Sequence, residues 1–290
     1  MIRPFPKPRG PRVEIKRLPM EEDMTLCIAA NVRHHVEESI VCAFDFRIET
    51  SSSGSDTGYK FRKLSKDWGA MLAGVTSKAD RLLDILSECF TSQEVRQNNA
   101  LIEIRKAVAS YRLELVEEYV QSVVSMSYDS FLERKASFPD HLFEQVASEI
   151  LRVQQECDII LFCLHQKLPF LYVVGANGLV DQVRNFCAVG SGAPNAEAWL
   201  HFREQSSFDQ LHKTVVSVYE AKKFAEHAPG VGKTTRLLVL QGDKIMVYQN
   251  MSEMDKLWRK YGPHPLPAVG SKKLFPTLTL QESSWETLVT

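Results

Sequence analysis

Apolar positions along this chain fall into two textures. Short, nearly continuous apolar runs ("TLCIAANV", 25–32; "SIVCAFDFRI", 39–48; "WGAMLAG", 68–74) and the alternating "YKFRKLS" (59–65) read as strands. The first two, separated by the polar "RHHVEES", form a hairpin pattern, and the Ser- and Gly-rich "ETSSSGSDTG" reads as a flexible connection. Helical spacing follows. Ser77 and Asp80 make a capping-box pattern ahead of "RLLDILSECF"; Leu101, Ile104, Val108, Tyr111 and Leu115 share one helix face; Leu142, Phe143, Val146 and Ile150 share another after Pro139. Strand texture returns in "DIILFCLH", "PFLYVV" and "NFCAVGSG", helices in "PNAEAWLHF" and "FDQLHKTVVSVYEAKKFAEH", and a closing hairpin in "RLLVLQGDKIMVYQ". Strands, helices, strands, helices, strands is an α+β order, which predicts antiparallel sheets layered against helices rather than a doubly wound parallel sheet.

Both ends differ from this texture. Residues 1–23 carry five prolines and six Lys or Arg, which disfavours helix and central strand, so 1–24 reads as a leader. From Met251 to Thr290 the chain has four prolines and little periodicity and reads as an irregular extension. Residues 25–250 remain as the folded domain.

A hydrophobic share of 44% and a charged share of 24% are ordinary for a globular chain, and a formal net charge of −1 supplies no whole-chain attraction for nucleic acid or an anionic membrane. No apolar run reaches the roughly 18 residues of a membrane span, and no apolar h-region follows the basic leader. Six cysteines without a CxxC pair read as buried thiols in a reducing compartment, so the expectation is a cytoplasmic protein. His34, His35 and His165 read as surface or packing residues, and neither metal nor cofactor is expected.

One apparent motif misleads. "APGVGKTT" (228–235) ends like a phosphate loop, but the position of its first glycine holds His227, and the segment follows a helix and opens a strand, the reverse of a phosphate loop's setting. It reads as a helix-to-strand connection. The preceding charges, "KKFAEH" (222–227), read as a solvated helix face.

The chemistry sits at the other end of the domain. Thr25 stands at the head of the first apolar run, directly after Met24. A threonine hydroxyl is a weak nucleophile, and the residue's own α-amine can serve as its base once Thr25 is N-terminal. Initiation at Met24 with loss of that Met, or removal of a 24-residue propeptide, exposes it. Such a nucleophile also needs a cation, a carboxylate to orient it and backbone donors for the oxyanion. Asp45, Lys60 and Gly74 are available on the next strands, although singly they also read as a turn residue, a solvated lysine and a tight turn.

In order and spacing, "MTLCIAANV", "SIVCAFDFR", "YKFRKLSKDWGAMLAGVTSKADRLL", "FCAVGSGAPNAEAWL" and "VVSVYEAKKFAEH" resemble a proteasome β-type subunit, with a texture similar to bacterial proteasome-like proteins. The resemblance runs from Thr25 to about Asn250. It implies the N-terminal nucleophile hydrolase fold, a four-layer αββα sandwich of two mainly antiparallel sheets flanked by helices. It also implies a threonine peptidase acting on peptides or unfolded proteins inside a self-assembled homo-oligomeric ring, with any unfoldase partner unspecified. By position, Thr25 is nucleophile and, through its amine, base; Lys60 favours its deprotonation; Asp45 holds Lys60; the Gly74 amide serves the oxyanion; Ser191 hydrogen-bonds the amine. The chain departs from the family where Asp-x-x-Ser-Gly is expected, having Glu226-His227 and then "APGVG". A catalytically silent scaffold and a small-molecule amidase of the same fold are the alternatives.

Overall fold

The structure is a computed structural model that describes residues 26–34, 37–45, 48–50, 53–55, 60–74, 76–92, 95–163, 169–242, 244–262 and 279–283. Its strands are β1 (Cys27–His34), β2 (Glu37–Phe44), β3 (Ile48–Thr50), β4 (Ser53–Ser55), β5 (Phe61–Lys63), β6 (Trp68–Gly74), β7 (Cys157–Cys163), β8 (Phe170–Val174), β9 (Val180–Val183), β10 (Phe186–Val189), β11 (Arg236–Gln241), β12 (Lys244–Tyr248) and β13 (Leu280–Ser283). Its helices are α1 (Thr76–Ser92), α2 (Gln97–Val124), α3 (Tyr128–Glu133), α4 (Asp140–Ile150), α5 (Ala193–Phe202), α6 (Leu211–Ala225) and α7 (Met251–Tyr261).

Two antiparallel sheets carry the core, one ordered β10-β1-β2-β11-β12-β13 and the other β5-β6-β7-β8-β9. Side-chain alternation along β1 explains why its sequence is apolar throughout. Cys27 and Ala29 join Ile40, Cys42, Leu238 and Leu240 against Met71, Ala73, Ile160 and Phe162 of the second sheet. Ile28 and Ala30 point the other way, with Val41, Ala43, Leu237 and Val239, onto Val215, Val218 and Tyr219 of α6 and Ala196 and Leu200 of α5. The outer face of the second sheet (Ala70, Leu72, Ile159, Leu161, Tyr172) is covered in the same manner by Leu82, Leu83 and Leu86 of α1 and Ile104, Val108 and Tyr111 of α2. A sheet covered on both faces has no water-facing side to require polar residues, so the strands read as continuous apolar runs.

Several expectations need correction. Strands β1 and β2 pair as far as Arg33↔Glu38 and His34↔Glu37, so most of "RHHVEES" belongs to the hairpin's arms. The "ETSSSGSDTG" segment contains the small β3–β4 ribbon, Ile48↔Ser55 to Thr50↔Ser53. The helix α1 begins at Thr76, which puts Ser77 in its first turn. Helices α2, α3 and α4 close a satellite core of Val116, Val120, Phe131 and Val146.

The irregular extension expected from Met251 begins as α7 and includes β13, which adds an antiparallel strand to β12 through Tyr248↔Leu280 and Met246↔Glu282. Met251, Met254, Leu257 and Trp258 of α7 pack on the α5–α6 side, and the Tyr219 hydroxyl donates to Asp255. That apolar set recurs at helical spacing but is short, and partners supplied by the rest of the fold decide it. Among the described residues no helix is long and apolar enough to cross a membrane.

Candidate active site

Antiparallel pairing brings distant segments to one end of the first sheet. Cys27 at the start of β1 is opposite Phe44 at the end of β2 and Val189 at the end of β10, and Arg236 at the start of β11 is also opposite Phe44. The residues just beyond those strand ends, Leu26, Asp45, the 190–192 segment and the 228–235 connection, therefore share one rim. The second sheet joins at the same place: the Cys27 thiol donates to the Leu72 carbonyl at 3.4 Å, and Leu72 donates its amide to the Lys60 carbonyl at 3.0 Å.

Asp45 and Lys60 are buried together at this rim, with side-chain exposures of 0% and 1%, and the Lys60 Nζ donates to Asp45 Oδ1. The second carboxylate oxygen accepts the Gly232 amide at 2.8 Å, and the Asp45 amide donates to the Leu26 carbonyl at 3.4 Å. Such burial removes both groups from water, so the pair holds only because each has a counter-charge or a donor in place. The exposed pairs of Arg62 with Asp80 and Asp84 remain hydrated and do little by comparison.

Of the sequence-predicted residues, the structure brings Asp45 and Lys60 into direct contact. Ser191 lies half-buried between β10 and α5, and the adjacent Gly192 packs so closely that an added Cβ would meet Val231 Cγ2 at 2.7 Å and Leu26 Cδ1 at 3.4 Å. This ties the Ser191 segment to both Leu26 and the 228–235 connection. Gly74 ends β6 two residues beyond Leu72, the residue hydrogen-bonded to Lys60. Thr25, with the leader 1–24, lies outside the described residues, as do His35 and His165.

Gly74 also has a strict steric role. Its φ is +108°, and a Cβ there would meet the Glu156 carbonyl oxygen at 2.7 Å and the Cys157 Cα at 2.8 Å. Both obstacles are backbone, one at the first residue of the partner strand (Gly74↔Cys157) and one at the residue before it, and cannot swing aside. Gly74→Ala is expected to destabilise the fold by about 2–4 kcal/mol, combining left-handed strain with overpacking. Urea unfolding of the purified variant measures this, and a loss under about 0.5 kcal/mol would contradict it.

Cys27 is a nucleophile-type side chain that the Asp45–Lys60 charges reach. It is fully buried, and burial pushes its thiol up to about 12 against the opposing pull of Lys60, so it stays protonated at neutral pH. A protonated, inaccessible thiol is a packing group.

Sequence reasoning missed the contribution of the connection before β11. The segment does join a helix to a strand, as read, yet its Gly232 amide is a direct ligand of Asp45. The expectation that "KKFAEH" forms a solvated face fails at Lys222, which is completely buried, donates to Glu226 Oε1 at 2.6 Å and to the Gly232 carbonyl, and is held below its ordinary pKa range by burial. A three-residue run of lysines and an aromatic carries no signal of which lysine faces inward. Comparison with models of known protein families and with curated proteins finds no match for this chain.

Proposed function

We propose that this chain is a threonine peptidase of the N-terminal nucleophile class, with Thr25 as its nucleophile once it becomes the first residue. The observation that carries the reading is the buried Asp45–Lys60 pair beside Leu26. Thr25 directly precedes Leu26 in the chain. The cation and carboxylate named from the sequence thus meet at the rim that holds Leu26, the residue after Thr25 in the chain, and the layering of helices on two facing sheets agrees with the N-terminal nucleophile architecture.

In the proposed reaction the free Thr25 amine takes the hydroxyl proton as Oγ attacks the substrate carbonyl carbon. The oxyanion so formed is stabilised by backbone donors, for which the Gly74 amide is the candidate, and Lys60 favours the alkoxide electrostatically. Collapse breaks the peptide C–N bond, the proton passes to the departing amine, and an ester on Thr25 remains. Water then attacks the ester, its proton returning through the amine, and the acid product leaves with Thr25 restored. Substrates are peptides or unfolded proteins, and the chain works within a homo-oligomeric assembly that shields the site.

The test is covalent labelling of a protein beginning at Thr25 with an electrophilic peptide probe, followed by intact mass and peptide mapping. One adduct per chain at Thr25 is expected, absent in Thr25→Ala and retained at reduced rate in Thr25→Ser, because serine keeps both hydroxyl and amine. An adduct elsewhere, or none on a folded protein whose N-terminus is verified as Thr25, would overturn the assignment.

A further inference from the structure

Behind the Asp45–Lys60 pair lies a second charged pair for which the proposed reaction has no part. Lys222, near the end of α6, has a side-chain exposure of 0%, and its partner Glu226, one turn on, has 14%. Lys222 donates to Glu226 Oε1 and also, outside its own helix, to the carbonyl of Gly232. Gly232 in turn donates its amide to Asp45. Both peptide units that meet at Gly232 are therefore held, one by Lys222 and the other by Asp45. Glycine has no side chain with which to anchor itself, so those two bonds fix its own backbone, next to Val231, which is buried in the core under α6.

We infer that Lys222 and Glu226 are positioning residues for the Asp45–Lys60 pair, acting through the backbone of Gly232. The inference rests on the proposed function for its catalytic consequence only. A buried ammonium contributes little net stability, because desolvation cancels most of the attraction to its partner. What this one does supply is a fixed position for the Gly232 amide, and so for the carboxylate that orients Lys60. Glu226 offsets the Lys222 charge, leaving Asp45 to Lys60. Lys223 also reaches Glu226, at 3.1 Å, from the half-buried side of the helix.

The decisive variant is Lys222→Met/Glu226→Gln, which removes both charges together and leaves neither unpaired. In a Thr25-start protein, the limiting rate of labelling by the peptide probe is expected to fall about tenfold or more, with its half-saturating concentration changed less than about twofold. Val146→Ala, in the satellite core of α2–α4, serves as a control of lowered stability and should leave both values unchanged. Equal slowing by the control, or no slowing by the double variant, would overturn the inference. A second readout does not need catalysis: 15N NMR of the Lys60 ammonium, where the double variant should shift the Nζ resonance and Val146→Ala should not. An unshifted resonance refutes the positioning role. If the wild-type protein fails to label, the Thr25 reading falls and the NMR result alone decides this one. Glu226→Gln alone leaves the buried Lys222 charge without its carboxylate and competing with Lys60 for Asp45, so it too should shift the Lys60 Nζ resonance and serves where the double variant does not fold; no shift there would count equally against the inference.

Discussion

Replacing Lys60 with Met, or Asp45 with Asn, is expected to lower unfolding free energy by about 3–5 kcal/mol each, and the double replacement by clearly less than the sum. The reason is the burial of the pair. With both side chains essentially inaccessible, removing Lys60 leaves the Asp45 carboxylate with the Gly232 amide but without the ammonium in contact with it, and removing the Asp45 charge leaves an ammonium in an apolar rim. Removing both leaves an Asn that still accepts from Gly232 and a Met that fills the stem of the lysine, so the cost of an unpaired buried charge disappears. Urea unfolding of the four proteins gives the coupling energy. Single variants that each cost under about 1 kcal/mol and add without coupling would show that the pair is hydrated and not a buried unit. In the Thr25-start protein both single variants should also suppress labelling, because the nucleophile loses its oriented cation.

The start of the chain has the second large effect. A protein beginning at Met24, with that Met removed, is expected to react with the peptide probe roughly a hundredfold or more faster than the chain that retains residues 1–24, in line with the usual contribution of a positioned general base. In the longer chain the Thr25 nitrogen is an amide and cannot accept the hydroxyl proton, whatever the arrangement of Asp45 and Lys60. Intact mass must confirm each N-terminus before rates are compared. Equal rates would remove the amine from the mechanism and with it the N-terminal nucleophile class. No reaction of either protein, both folded, would favour the silent-scaffold alternative.

These effects differ in what they test. Substitution at Asp45 or Lys60 probes a contact already visible in the fold, whereas the start-site comparison probes a chemical state of Thr25. A silent scaffold would show the first effect in full and lack the second. The combination therefore separates a structural ion pair from a catalytic one, which neither measurement does alone.

Sequence by itself determined the order of the principal strands and helices from β1 to β12 and the residue types that the proposed chemistry would use. The runs that became β1, β2, β6, β7, β8 and β10 were legible because both faces of each sheet are buried, and the faces of α2 and α4 were legible from their spacing. Asp45 and Lys60 could be named because each follows or precedes a recognisable strand. Tertiary structure alone decided that they meet, since that depends on the antiparallel register that sets Phe44 opposite both Cys27 and Arg236. It also decided α7 and β13, short elements whose stability comes from Trp199, Tyr219 and the β12 edge rather than from their own pattern. Most plainly it decided the fate of Lys222 and Lys223, adjacent and identical in type. A single residue's step of helix phase puts the first wholly inside against Gly232 and leaves the second half-buried, because neighbouring helical residues point about 100° apart and only the packed partner defines which direction is inward.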